Sequence, residues 1–394
     1  MSSELEQQLR RALARVEPDP VATEQAKAAA LEALSSPGGL RSRYRLGLLA
    51  AALVGALVVT GVTLASSRTA REVVGISGSP DKPSPGPIPN GPLPPGSGGF
   101  AAYGDGRLWL VSPSLTIAGM PYSAAELSPG ALNVAVGSGH ALVVRRLSDG
   151  SVAWSHRTAG RVVAAAWAPI GTEIAYVVAW HEGAQLRMIE GDGDHDHLIA
   201  GSASAVTPSW RADSLALAYV SAGGRVVVRD LANDSSTAIR PSRDCALVHA
   251  SQVAFAPRGT LLTASTGGGN MLVTDPVHGW VACAAPIQTI GPQPPLRLAW
   301  TSGRELVATT DQFVARVEVR GRGIVQGTEV TAPAGIVGLT VSPDRRQIAV
   351  GLWRGDRLQL VVAEMPRAGD RTLRIVRTLR NLPDPSAGYS LIWR

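Results

Sequence analysis

The densest collection of side chains able to hold a metal or move a proton is the run Asp192-Gly193-Asp194-His195-Asp196-His197. Alternating aspartates are a calcium-loop pattern, and paired histidines suit a transition metal. The helix-loop-helix calcium motif also needs a bidentate Glu farther on, and residues 199–203, Ile-Ala-Gly-Ser-Ala, supply none. Asp and Gly are equally the residues that a tight hairpin selects for backbone reasons. The run therefore reads as a solvated hairpin turn, with a weak surface metal site as the alternative, and no cofactor is expected. Nucleophilic catalysis has less support, because no G-x-S-x-G elbow follows residue 100 and the Ser, His and acidic residues occur singly. The two cysteines, Cys245 and Cys283, lie in neither a CxxC nor a Cys/His array. A disulfide between them and two separate buried thiols stand as equal readings.

The elements that carry these residues follow from the hydropathy pattern. Residues 46–65, LGLLAAALVGALVVTGVTLA, contain no charge and are long enough as a helix to cross a bilayer. Arg41, Arg43 and Arg45 precede this run, whereas Arg68 and Arg71 on the far side are partly offset by Glu72, an imbalance that places the amino terminus inside. A cleaved signal peptide, with Thr63 and Ala65 before the cut, is the competing reading. The expected organisation is a cytoplasmic helical segment over residues 1–45, a transmembrane helix over 46–66, a Pro/Gly-rich linker over 67–99 and an extracytoplasmic domain over 100–394. In the first segment Ser3 and Glu6 have capping-box spacing, and Leu5, Leu9, Leu13 and Val16 form one apolar stripe, a candidate surface for a cytoplasmic protein partner. The linker holds eight prolines between Pro80 and Pro95 and forms no core.

A net charge of +6 raises the question of nucleic acid, but the basic residues are almost all scattered arginines, and residues 1–45 are nearly balanced. No nucleic acid is expected as a partner. The outer part is rich in Val, Ala, Leu and Gly and punctuated by turn residues, as in an all-β chain of many short strands.

From residue 100 the chain repeats itself. An apolar anchor, a Pro/Gly turn, a strand, a polar turn and another strand begin at Leu127, Trp167, Trp210, Phe255, Trp300 and Val341, at intervals of 40 to 45 residues. That interval accommodates four short strands and their turns. The terminal run Ser390-Leu391-Ile392-Trp393 reads as the first strand of a seventh repeat, and residues 100–112 read as its remainder. Pairing the two ends would close a ring and remove the exposed edges of an open stack. The expected fold is thus an all-β, seven-bladed β-propeller, with six blades as the alternative if the copy at Leu127 proves irregular.

The phrase W-A-P-x-G-x-x-I-A-Y from Trp167 to Tyr176, with V-S-P-D at Val341 and L-S-P-G at Leu127, resembles the W-S-P-D-G-x-x-[IL]-A-[FY] repeat of TolB-like, PD40 or WD40-like bacterial β-propellers. The copy at Trp300 lacks the proline and has a shorter turn. The resemblance implies an architecture used as a scaffold rather than one activity.

The anchors Trp167, Trp210, Phe255, Trp300, Val341 and Trp393 share one repeat position and are expected to pack between blades. Trp109, Trp180, Trp280 and Trp353 lie off that register and are read as candidates for exposed contacts. The innermost strands are mostly small and apolar, with Gln252 and Arg297 as polar exceptions. The arginines at 367, 371, 374, 377 and 380 read as an outer edge guarded by charge, or as a contact for anionic polymers or headgroups.

The expected function is a non-enzymatic, membrane-anchored module at the cell membrane, single-pass, that presents loops to an envelope protein, polymer or small ligand. The alternatives are an envelope enzyme with a propeller active site and a transmembrane regulator. In layout the chain resembles membrane-bound anti-sigma regulators, although residues 1–45 contain neither the His nor the Cys of their zinc motif.

Overall fold

Seven sheets of four antiparallel strands make up the fold, each in the order innermost, second, third, outermost. The computed structural model describes residues 100–104, 107–111, 120–241, 249–266, 269–284, 296–354, 357–382 and 390–393. All of these fall in the second of the two units into which the chain divides, Ser84–Arg394. The segments read as cytoplasmic helices, membrane span and linker, with Leu5, Leu9, Leu13 and Val16, lie outside the described residues, as does Cys245. Among the described residues no helix is long and apolar enough to cross a membrane.

Blade 2 starts with Ala124–Leu127, blade 3 with Arg161–Trp167, blade 4 with Ser209–Trp210, blade 5 with Ala250–Phe255, blade 6 with Arg297–Trp300 and blade 7 with Gly335–Val341. The copy at Leu127 is regular, so the blades number seven. Blade 1 is built from both ends of the domain. Ser390–Trp393 pairs antiparallel with Phe100–Gly104, setting Phe100 opposite Trp393 and Ala102 opposite Leu391. The Phe100 and Trp393 rings meet edge to face with centroids 5.9 Å apart, the geometry that the aromatic quadrupole favours.

The core is a ring of seven apolar layers, each filling the gap between two adjacent blades. An open stack of seven blades would have six such gaps; the seventh joins Leu358, Leu360 and Val362 of blade 7 to Phe100, Trp109 and Trp393 of blade 1. Because a middle strand is covered on both faces, its residues are apolar without interruption, yet successive side chains still alternate in direction. In Ala216–Val220, Leu217 and Tyr219 pack toward blade 3 while Ala216, Ala218 and Val220 pack toward blade 5. Outermost strands have no such cover: all four residues of Ser235–Ala238 are exposed.

The turns from innermost to second strand share one design. Gly171, Ser214, Gly259 and Arg345 take positive φ at equivalent places. The amides of Gly171, Ser214 and Arg345 each donate to the carbonyl three residues earlier, at 2.8, 2.9 and 2.8 Å. The residue after the anchor then donates to a carbonyl five residues on, as from Ala168 to Glu173 and from Ser342 to Gln347. In blade 6, whose turn is one residue shorter, Thr301 donates instead to Glu305, four residues on. The Ser and Asp of the S-P-D phrase brace this turn. Ser342 Oγ donates to Asp344 at 2.6 Å, and Asp344 accepts from the amide of Arg346 at 3.1 Å.

Candidate binding groove between blades 2 and 3

Four polar side chains far apart in sequence converge where the outer strands of blades 2 and 3 meet. His156 comes from the outermost strand of blade 2, Val152–Arg157. Tyr176 and Arg187 are directly opposed on neighbouring strands of blade 3, and Asp196 stands just before the outermost strand His197–Ala200. Asp196 accepts at 2.6 Å from Tyr176 OH, at 2.6 Å from Arg187 Nη2 and at 3.1 Å from Arg187 Nε, and lies 3.3 Å from His156 Nε2. Burial opposes the ionisation of Asp196, but the hydrogen bonds from Arg187 and Tyr176 outweigh it and hold the carboxyl below its usual range. The same contacts act on the partners in reverse: burial and Asp196 push the Tyr176 phenol well above its ordinary value, and Asp196 raises Arg187.

His156, Arg187 and Asp196 of this network line a cavity of about 190 Å³ together with Trp180 and Gln185. Trp180 is 41% exposed and lies against Gly160. A Cβ on Gly160 would fall 2.6 Å from the Ala179 carbonyl oxygen and 2.7 Å from the indole Cε3, so the close approach of this strand requires glycine. Thr158 Oγ1 donates to the Gly160 carbonyl at 2.7 Å and fixes that turn. The groove thus offers an exposed indole together with the Arg187 guanidinium and the Gln185 amide, a combination that binds by stacking and hydrogen bonding.

In the run singled out as a metal candidate, Asp196 joins the network above and the other polar atoms serve the turn itself. Asp192 Oδ1 accepts from the amide of Asp194 at 3.1 Å, Glu190 N donates to the Asp194 carbonyl at 2.9 Å, and His195 Nδ1 lies 3.1 Å from Glu190 Oε1. His197 Nδ1 lies 2.9 Å from the His195 carbonyl. Gly193, at φ 98°, rests on the Trp154 indole, where a Cβ would approach to 2.9 Å. Among the described residues no three His, Cys, Asp or Glu side chains are grouped to hold a metal.

Three polar residues of the innermost strands, Gln252, Ser209 and Arg297, tie one blade to the next. Gln252 Nε2 donates to the Leu298 carbonyl at 2.7 Å and its Oε1 accepts from the Leu298 amide at 2.9 Å. Ser209 Oγ accepts from Phe255 N at 2.9 Å, and Arg297 Nη1 reaches the Ile336 carbonyl at 3.5 Å. The anchors add to this stitching. Trp210 Nε1 donates to the Ala166 carbonyl and Trp300 Nε1 to that of Ala254, each at 2.9 Å across a blade boundary. Trp167, Trp210, Phe255, Trp300 and Trp393 are all buried, while Val341 is half-buried.

Of the tryptophans off the anchor register, Trp180 is exposed, Trp280 and Trp353 are half-buried, and Trp109 is 5% exposed. Trp109 corrects the expectation of an exposed contact. It sits on the third strand of blade 1, whose face is covered by blade 7. In the arginine run, Arg374 and Arg367 pair with Glu364 at 3.3 and 3.6 Å, and the strand Ile375–Leu382 is outermost in blade 7. Cys283, on the outermost strand of blade 5, is disulfide-bonded.

Solved structures place the chain among β-propellers. It is similar to the β-propeller domain of Cps50 (Swd1) from Myceliophteria thermophila, at 14% identity over 68% of this chain and 88% of that one, with a TM-score of 0.52. It is also similar to a chain of the mitotic checkpoint complex, at 14% identity over 81% of this chain and 91% of that one, again with a TM-score of 0.52. Identity this low speaks for the fold alone. No family model matches the sequence, and no curated protein does.

Proposed function

We propose that the protein is a membrane-anchored, extracytoplasmic propeller of the TolB-like, PD40 kind that acts as a non-enzymatic binding or scaffolding module. The groove between blades 2 and 3 carries the reading. There an exposed indole stands beside an amide and a guanidinium, while Gln252, Ser209 and Arg297 of the innermost strands are occupied in joining blades. The ligand is an envelope protein, polymer or small molecule with a flat face for Trp180 and acceptors for Arg187 and Gln185. The apolar run at residues 46–65 supports the anchor, and a disulfide from Cys283 to Cys245, the one other cysteine of the sequence, would suit an oxidising compartment.

A photo-cross-linker at Gln185 in intact cells tests the site. It is expected to give an adduct that disappears with Trp180→Ala and is not formed from the same group at Arg225, on a second-to-third-strand turn of blade 4. Equal capture at both positions, or capture indifferent to Trp180→Ala, would show that the groove is not the binding site. External protease that fails to reach the propeller in spheroplasts would refute the outside placement.

A further inference from the structure

The six turns from innermost to second strand, in blades 2 to 7, ring one mouth of the propeller, and their tips are sorted. Blades 2, 3 and 4 present Leu132, Ile170 and Leu215, exposed by 73%, 53% and 37%. Blades 5, 6 and 7 present Arg258, Arg304 and Arg345 with Arg346. The turns abut one another. Gly171 approaches Pro129 of the preceding blade, Ile170 N donates to Ser214 Oγ of the next at 3.4 Å, and Gly303 lies against the backbone of Arg258. At blade 1, where the turn of the other blades would stand, Trp393 ends one strand and Phe100 begins the next, so the chain enters the ring on this same face.

Three arginines of these turns lack carboxylate partners. Among the described residues, the side chains of Arg258, Arg304 and Arg345 form no ion pair or hydrogen bond, whereas the charge of Arg346 lies close enough to act on the Asp344 carboxylate. The acids in these turns are engaged elsewhere: Asp213 pairs with Arg211 at 2.9 Å, Asp344 braces its own turn, and Glu305 pairs with Arg316 at 2.7 Å. Burial first, and then the charge of Arg258 in blade 5, disfavour the charge on Arg345 in blade 7. Arg345 also holds φ 61°, a conformation costly for a long side chain. Asp149, Asp192 and Asp194 belong to the outer turns, at the rim rather than around the mouth.

We infer that this mouth lies on an anionic phospholipid surface, with the arginines of blades 5 to 7 on headgroup phosphates and Leu132, Ile170 and Leu215 in the interfacial layer. An apolar arc beside a basic arc is the composition of surfaces that rest in that layer. The inference rests on the anchored reading proposed above. A Pro-rich tether alone leaves the orientation of the ring undetermined; the arginine arc, on the face where the tether joins, determines it. Each arginine near an anionic surface strengthens docking roughly fivefold.

The test uses the full chain in vesicles of phosphatidylcholine alone or mixed with phosphatidylglycerol. Amide hydrogen exchange is followed in the turns at 168–173, 211–216, 256–261 and 342–347. Phosphatidylglycerol is expected to slow exchange there, with the protection lost in high salt. Arg258→Gln with Arg345→Gln should weaken docking by roughly 25-fold, whereas Arg225→Gln with Arg354→Gln, on the opposite face, should leave it unchanged. Exchange that is the same in both lipids, or protection that the opposite-face pair removes equally, overturns the inference. A chain that does not sediment with either vesicle refutes the anchor itself, a separate outcome.

Discussion

Asp196 shows how one residue secures a blade boundary. It receives hydrogen bonds from two side chains of its own blade and lies beside His156 of the preceding one, with its side chain 15% exposed. Its folded carboxyl is held below the usual range by hydrogen bonds that outweigh burial. The stability this supplies is present above the unfolded carboxylate value of about 4 and is lost as pH falls through the lower folded value. Asp196→Asn should therefore cost about 1.5–3 kcal/mol near neutral pH, the worth of hydrogen bonds to a charged group. The gap between variant and parent should close as the pH drops below 4. Denaturant melts across that range decide the matter: a gap independent of pH would mean that the carboxylate charge contributes nothing. Sequence spacing marks Asp196 only as part of a turn. The positions 156, 176, 187 and 196 belong to four different strands or turns, and local pattern carries no information about which of them a blade boundary brings together.

Among the elements, the repeat was legible because the anchor, the turn and the alternating strand recur together. Alternation also has a limit, illustrated by Trp109. A strand covered on both faces buries every side chain, so leaving the anchor register does not mean facing solvent. The anchors themselves differ in a way that periodicity does not reveal. Trp210 and Trp300 each donate an indole N–H to a carbonyl of the preceding blade, whereas the buried Trp167 Nε1 has no hydrogen-bond partner. Replacing each by Phe removes a similar volume of ring, but only at Trp210 and Trp300 does it also orphan a carbonyl. Trp210→Phe and Trp300→Phe should each cost about 1 kcal/mol more than Trp167→Phe. Urea unfolding of the three variants would refute this account if Trp167→Phe proved the most damaging.

At the scale of the whole molecule, stability depends on closing the ring. Every blade lends both faces to its neighbours, so a blade at an open end would expose an apolar face and an unpaired strand edge together. The layer between blades 7 and 1 is made only because Ser390–Trp393 joins a sheet begun by Phe100, nearly three hundred residues earlier in the sequence. The two part-repeats at the ends made this join legible, since neither can bury its apolar face alone. The apolar and basic arcs of the mouth were not legible, because turn tips contribute nothing to the repeat and become neighbours only after closure. Trp393→Ala keeps the strand pairing but empties the contact with Phe100, and should cost about 3–5 kcal/mol. Deleting residues 390–394 removes both pairing and contact and should lower the melting temperature of the propeller further than Trp393→Ala does, with loss of protection reaching blades 7, 1 and 2 first. A deletion that melts like the parent would show that the ring is held by something other than this strand. A deletion no worse than Trp393→Ala would assign the closure to the indole alone rather than to the backbone ladder that accompanies it.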